Sequence, residues 1–305
     1  MIPRSVRIEL EEALGDGIRF GVPLSRHTSL RIGGDAEALA HPSGREDMAR
    51  LLSICAEHKV PQRVLGSGFN TLVLDGGIEG VTIQLSRMRR LEERPNAGVR
   101  AEAGVSHSQV TRFCTSHGLS GLEFASGIPG SVGGWLSMNA GIPENEMKDV
   151  VREIEVMSPT GRHVRHLGRG RLRFVYRALR GLAPGSVILS VLFGVVLSNP
   201  DEVRLGVNRL LARRADTQPL NVPSCGSVFQ NPPGDHAGRL IEAAGLKGLR
   251  IGGAEISPVH ANFIANIGGA CANDVLALIE AARTKVHKQF GVWLAPEVRI
   301  IGRPA

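Results

Sequence analysis

A chain of 305 residues, 42% of them hydrophobic, with 36 basic against 29 acidic side chains, has room for two or three domains and a sizeable core; its net charge is +7. No apolar run approaches the ~18 residues of a membrane span, the N-terminus lacks a charged-then-apolar leader, and a single tyrosine with 4% aromatics disfavours the stacking surfaces of nucleic-acid binders. Cys55, Cys114, Cys225 and Cys271 form no CxxC pair, so neither a zinc site nor a disulfide framework is indicated, and a soluble, cytoplasmic protein without a metal is expected.

The first twenty-five residues show only a short helical pattern. Residues 27–42 predict a strand, a turn at Gly33-Gly34 and a second strand. Residues 45–60 predict a helix on the stripe Met48, Leu51, Leu52 and Cys55. Residues 63–65 and 72–74 predict strands around a glycine loop, and 81–85 a further strand. A second block has a strand at 99–104, a helix over 106–117 with Val110, Phe113 and Cys114 inward, and strands at 151–158, 162–166 and 187–197. Cys55 and Cys114 read as core thiols. The basic run Arg162–Arg177 reads as a solvated strand-turn-strand edge. A third block opens with a helix over 201–216 on Val203, Val207, Leu210 and Leu211. A long Pro/Gly/Asn loop over 217–234 follows, then a helix over 236–244, a strand and turn at 260–270, a helix from an Asn273 cap to Phe290 with Leu276, Ile279 and Val286 inward, and a terminal strand at 296–302. The order is α+β, without the regular alternation of a doubly wound sheet.

Two loops look built for phosphate. "LGSGFNT" (residues 65–71) places Gly66, Ser67, Gly68, Phe69, Asn70 and Thr71 after a strand, and successive N–H groups in such turns form an anion-binding concavity. The dinucleotide fingerprint is excluded here, because its third glycine is Thr71 and a strand follows where a helix is required. "GIPGSVGGWLSMNAG" (residues 127–141) has five glycines in fifteen positions and predicts no ordinary helix or strand. Gly127, Gly130, Gly133 and Gly134 allow close approach of a ligand, and Ser126 and Ser131 offer hydroxyls. The two loops together argue for one long ligand with a pyrophosphate centre. Flavin adenine dinucleotide has that shape, although composition alone does not name it.

"GSGFNTLV", "GLEFASGIPGSVGGWLSMNAG", "SCGSVFQNP" followed by "AGRLIEAAGLKG" and "GGAEISPVHANF", and the terminal "EVRIIG" together resemble the UDP-N-acetylenolpyruvoylglucosamine reductase family from about His27 to Gly302. The resemblance implies a two-part FAD-binding fold of the vanillyl-alcohol-oxidase (PCMH) type plus a C-terminal α+β substrate-binding domain. The corresponding segments are 1–86, to which the terminal strand 296–305 is a candidate to return, 87–200, and 201–305. The chain resembles the shorter branch, which lacks an inserted tyrosine segment. The resemblance further implies non-covalent FAD, NADPH as reductant, UDP-N-acetylglucosamine enolpyruvate as substrate, a role in peptidoglycan synthesis, and a monomer that neither binds nucleic acid nor enters a membrane.

By the same resemblance, Ser227 in "CGSVF" matches the proton donor, Arg177 in "FVYR" the arginine facing the substrate carboxylate, and Glu297 in "PEVRIIG" a carboxyl beside it. Near a second carboxylate the pKa of Glu297 should rise. Hydride addition to the enolpyruvyl group pushes charge onto C2 and the carboxylate, which calls for electrostatic stabilisation and a proton. The family's small hydroxyl two positions after the arginine is Leu179 here, so this segment is expected to be shaped differently. Cofactor contacts are expected from Arg31, from Gly66 to Thr71, from Ser126, Gly127, Ile128, Pro129, Gly130 and Ser131, and from Gly133, Gly134, Asn139 and Gly141. Substrate contacts are expected from Tyr176, Gln218, Asn231 and Arg239, with Arg213 and Arg214 as further polar candidates. A flavin oxidase acting on an alcohol or sugar, and a non-catalytic flavin- or nucleotide-binding protein, are the alternatives. The absence of histidine from both glycine loops weakens the first, since such oxidases often attach flavin through one, and the trio Arg177, Ser227 and Glu297 argues against the second.

Overall fold

The computed structural model describes residues 1–305, which divide into two compact units. Residues 1–20, 38–67 and 80–214 form the first, and residues 21–37, 68–79 and 215–305 the second.

The first unit has two apolar cores. In one, α1 (Arg4–Leu14) contributes Val6, Leu10 and Leu14, and α2 (Arg45–Glu57) contributes Met48, Leu51, Leu52 and Cys55. Each fully buried leucine there stabilises by ~2 kcal/mol. The strand Gln62–Val64 pairs in parallel with Ile78–Ile83, aligning Gln62 with Val81. The other core covers an antiparallel five-stranded sheet in the spatial order Val164–Gly168, Val151–Met157, Val187–Gly194, Gly98–Glu102, Leu91–Arg94. Against it pack α3 (His107–Ser116), through Val110 and Cys114, and α4 (Val132–Ser137), through Val132, Trp135 and Leu136. Ser106 caps α3 in a reciprocal box with Gln109. The one-turn α5 (Met147–Val150) and the long α6 (Pro200–Thr217) follow. Cys55 and Cys114 are core thiols as expected, and burial pushes them up to about 11 and about 12.

The second unit is organised around an antiparallel sheet in the order Ser224–Ser227, Phe263–Asn266, Ala254–Ile256, Arg250–Ile251. Its core also takes Ala237, Leu240 and Ile241 of α7 (Ala237–Ala243) and Val275, Leu278, Ile279, Ala282 and Val286 of α8 (Ala272–Phe290). The terminal strand Arg299–Ile301 pairs in parallel with Thr71–Val73.

Several sequence expectations need correction. No strand forms over residues 27–32. Thr28 donates to the Ile32 carbonyl and Arg31 adopts a left-handed φ of 56°, local bonding that competes with a ladder. The strand there is Asp35–Ala40, and an earlier one, Ile18–Pro23, was not anticipated. The glycine-rich stretch does contain a helix, α4, because Val132, Trp135 and Leu136 all reach the core. The loop over 217–234 contains the strand Ser224–Ser227. On α6, Val203 and Val207 are buried but Leu211 is exposed. The cap of α8 is Cys271, not Asn273: the Asp274 carboxylate accepts the Cys271 N–H, and the Asp75 carboxylate accepts that of Ala272, acidic groups that suit a helix N-terminus.

Candidate active site

In the first unit the two glycine loops meet. A Cβ on Gly66 would lie 3.3 Å from the Ser131 hydroxyl and 4.0 Å from the Cα of Gly134, and Gln84 donates to the Gly66 carbonyl at 3.0 Å. Three carbonyls of the second loop are taken by protein donors: Gly127 by the Arg214 guanidinium, Ile128 by the Trp135 indole at 3.0 Å, and Gly130 by the His107 amide at 3.0 Å. That fixes which side of the loop backbone faces the protein. Burial holds both the Arg214 guanidinium and the His107 imidazole below their ordinary values, and the Arg214 charge pushes His107 further the same way.

The glycines of this loop fall into two groups. A Cβ on Gly133 would press on Ala103 at 3.0 Å, and one on Gly141 would strike the Asn145 carbonyl at 2.4 Å, so these two are demanded by packing. Gly130 (φ 126°) has nothing within 4 Å, Gly134 has only the Ser131 hydroxyl at 3.6 Å, and Gly127 only the Arg214 side chain at 3.4 Å. Beside this open group the Ser126 hydroxyl is buried with no hydrogen-bond partner. A buried orphan hydroxyl costs ~1–3 kcal/mol. Its position next to a cradle of missing side chains fits a ligand rich in acceptor oxygens, such as the pyrophosphate of FAD. Ile128 and Pro129 are half-buried between these glycines.

Arg177 lies in the same unit, at the tip of a hairpin pairing Arg173 with Arg180, Phe174 with Leu179 and Val175 with Ala178. It occupies the second turn position with φ 54°, and its guanidinium carbon stands 4.9 Å from the centre of the exposed Tyr176 ring. A left-handed backbone at this turn position favours Gly or Asn, and an arginine there holds ~1 kcal/mol of strain. The hairpin is anchored at two points. Phe174 and Leu179 pack on the core, so the residue replacing the family's hydroxyl serves as an anchor. Asn139, fully buried and itself left-handed (φ 41°), donates to the Val175 carbonyl at 3.2 Å and to Glu146 at 2.9 Å, and accepts the Lys148 N–H at 3.0 Å. Its side chain therefore braces the Arg177 hairpin.

The second unit carries Ser227 and Glu297. Gly226 takes φ 74° in the irregular strand Ser224–Ser227, with room for a Cβ up to the Phe69 carbonyl at 3.9 Å. The next carbonyl, that of Val228, accepts the N–H groups of Glu297 at 2.7 Å and Val298 at 3.2 Å, and Phe229 bridges Pro296. Ser227 and Glu297, distant in sequence, thus stand on neighbouring backbone. Asn262 clamps this junction, accepting from and donating to the Phe229 main chain at 2.9 and 2.8 Å. Asn70 donates to the Glu297 carbonyl at 3.2 Å, and its own carbonyl accepts the Arg299 N–H. The Ser29 hydroxyl donates to the Ser224 carbonyl at 2.7 Å and also lies 3.2 Å from the Gly68 carbonyl. Gly68 is required by packing, since a Cβ there would lie 2.3 Å from the His27 carbonyl. Thr71 is buried, and Ser67, Phe69 and Arg31 are exposed.

Of the expected substrate residues, Tyr176 sits beside Arg177 and Gln218 is half-buried. Asn231 accepts the Ala237 N–H at 3.0 Å, serving the start of α7. Arg239 is paired with Asp235, whose carboxyl it holds down at about 2. Arg214 serves the glycine loop of the first unit. Sequence reasoning missed Gln84, His107, Ser29 and Asn262. A polar residue interrupting the apolar strand "VTIQL" was the available signal for Gln84; the other three bond through loop geometry that no periodicity encodes.

Residues 36–166 match the model of the FAD binding domain, and residues 218–301 that of the UDP-N-acetylenolpyruvoylglucosamine reductase C-terminal domain. Similar curated proteins include the UDP-N-acetylenolpyruvoylglucosamine reductases of Geotalea uraniireducens, 40% identical over 97% of this chain and 98% of that protein, and of Rubrobacter xylanophilus, 43% identical over 94% and 96%. Among solved structures, the crystal structure of UDP-N-acetylenolpyruvylglucosamine reductase from Thermus caldophilus matches with a TM-score of 0.80 at 34% identity, over 93% of this chain and 98% of that one.

Proposed function

The chain belongs to the UDP-N-acetylenolpyruvoylglucosamine reductase family and is an FAD-dependent oxidoreductase with a two-part FAD-binding fold and a C-terminal substrate domain; from that premise we propose how its residues carry the reaction. The substrate is UDP-N-acetylglucosamine enolpyruvate, the reductant NADPH and the product UDP-N-acetylmuramate, made in the cytoplasm for peptidoglycan by a monomer. No helix is long and apolar enough to cross a membrane. Segments 1–86 and 87–200 hold the cofactor, and 201–305 holds the substrate.

FAD supplies hydride chemistry between NADPH and C3 of the enolpyruvyl group. Gly66, Gly127, Gly130 and Gly134 let the main chain approach its pyrophosphate, and the Ser126 hydroxyl gains there the partner it lacks in the protein. The Arg177 guanidinium forms paired hydrogen bonds with the substrate carboxylate and stabilises the charge that develops on it. The Ser227 hydroxyl delivers the proton to C2. A serine is a weak acid, but the enolate is a strong base, and placement governs the rate. The Glu297 carboxyl stands beside the substrate carboxylate, and Tyr176 and Gln218 contact the sugar nucleotide.

The observation carrying this reading is the Val228 carbonyl, which binds the Glu297 amide one residue from Ser227. The test is anaerobic. NADPH should bleach the flavin of the purified protein, and one equivalent of the enolpyruvyl sugar nucleotide should restore its colour. A bleached flavin that this substrate leaves unchanged would refute the assignment.

A further inference from the structure

The chain's excess charge is concentrated in one place. Seven arginines lie between Arg162 and Arg180, and no Asp or Glu occurs from Val156 to Pro200. Without these seven, the remaining 29 basic residues balance the 29 acidic ones, so this segment supplies the whole net charge of +7. It forms the edge strand Val164–Gly168, a short 3-10 turn and the hairpin that carries Arg177.

The neighbouring acids do not offset it. On the adjoining strand, Glu153 is bonded to Arg100 and His166, and Glu155 to Arg45 and Ser190. Arg171, Arg173 and Arg180 are exposed and enter no ion pair. Arg173 and Arg180 are cross-strand partners, directly opposite each other. Like charges so placed destabilise a sheet, and this one has only two three-residue strands, a length with little stability of its own. A hairpin that breaks a local rule beside a candidate catalytic residue points to function.

We propose that Arg173 and Arg180 form a collecting surface for anionic nucleotide substrates, the phosphorylated nicotinamide cofactor and the nucleoside-diphosphate sugar. They raise the rate of encounter and take no part in chemistry. This rests on the function proposed above. The physical basis is steering: one sign of charge clustered at a site raises association rates, and salt screens the effect. The segment's two aromatic side chains are Phe174, which packs on the core, and the exposed Tyr176; a single exposed ring is no row of stacking platforms, which favours small anions over nucleic acid.

The test compares the wild-type holoenzyme with the Arg173→Gln/Arg180→Gln double variant by stopped-flow flavin reduction, at low salt and at about 0.5 M salt. The reductants are NADPH and the uncharged N-benzyl-1,4-dihydronicotinamide. At low salt the second-order constant for NADPH should fall about tenfold in the variant, and the gap should close at high salt. The saturating rate and the rate with the uncharged reductant should match wild type, and Arg173→Lys/Arg180→Lys should retain the NADPH constant. Because the substitutions remove a like-charge pair from exposed positions, the variant should melt no lower than wild type. An unchanged NADPH constant at low salt would overturn the inference. So would a loss that persists at high salt or extends to the uncharged reductant, and so would unchanged kinetics with lost retention on RNA. Failure of the wild-type protein to reduce the enolpyruvyl sugar nucleotide would remove the proposed substrate, and the NADPH comparison would still decide the role of the arginines.

Discussion

Arg177 and Ser227 both stand where the backbone turns left-handed, but the two places solve the problem differently. In the second unit Gly226 takes the turn at φ 74° and Ser227 follows it, paired across the sheet with Phe263. In the first unit Arg177 takes the turn itself at φ 54°. A glycine there would relieve the strain but would carry no guanidinium. The strain is held from outside, by Phe174 and Leu179 on the core and by Asn139 on the Val175 carbonyl. A functional side chain can sit next to a permissive residue or displace it; the second arrangement needs an external brace.

The largest effect is expected on the serine side of this comparison. Ser227→Ala should lower the rate of the substrate half-reaction at least ~100-fold while flavin reduction by NADPH stays close to wild type. Rapid kinetics of the two halves, measured separately, check this, and equal losses in both would argue that the serine positions the site and donates no proton. The arginine side should respond to its brace. Asn139→Ala removes three buried hydrogen bonds and should lower the substrate half-reaction about tenfold, ~1.4 kcal/mol, with melting reduced by ~1–3 kcal/mol. Asn139→Gly keeps the left-handed backbone without strain, so a rate loss in this variant too would trace the effect to the bonds. If neither variant altered the substrate half-reaction, the brace would have no bearing on Arg177.

Much of this arrangement could be read from the sequence, within limits set by what sequence patterns encode. Helices α2, α3, α7 and α8 follow from apolar spacing, and α3 has its cap written as Ser106 and Gln109. The trio Arg177, Ser227 and Glu297 came from motif resemblance, since each alone reads as an ordinary surface or turn residue. The glycine stretch resisted because one letter serves two purposes. Gly133 and Gly141 are small for packing, whereas Gly130 faces open space and Gly127 and Gly134 each meet a single side chain, at 3.4 and 3.6 Å, and only coordinates separate the two groups. Asn139 lies in the same motif as these glycines, and its bond to Val175 spans a loop that no period describes. The strand expected over residues 27–32 failed because Thr28 and Ser29 bond to main chain instead of leaving it to a ladder.

The smallest expected effect bears most directly on the contrast between the two turns. Gly226→Ala meets no steric obstacle, since the nearest atom to the new Cβ is the Phe69 carbonyl at 3.9 Å, so its penalty should be conformational only, ~1–2 kcal/mol. Arg177→Gly runs the other way. It releases ~1 kcal/mol of strain, but glycine gains a comparable ~0.5–1 kcal/mol of freedom in the unfolded chain. The folded protein should therefore keep its stability to within ~0.5 kcal/mol although its carboxylate-binding group is gone. Denaturant melts of the two variants measure both quantities. Equal destabilisation would mean that the Arg177 turn is not strained, and the need for an external brace would vanish with it.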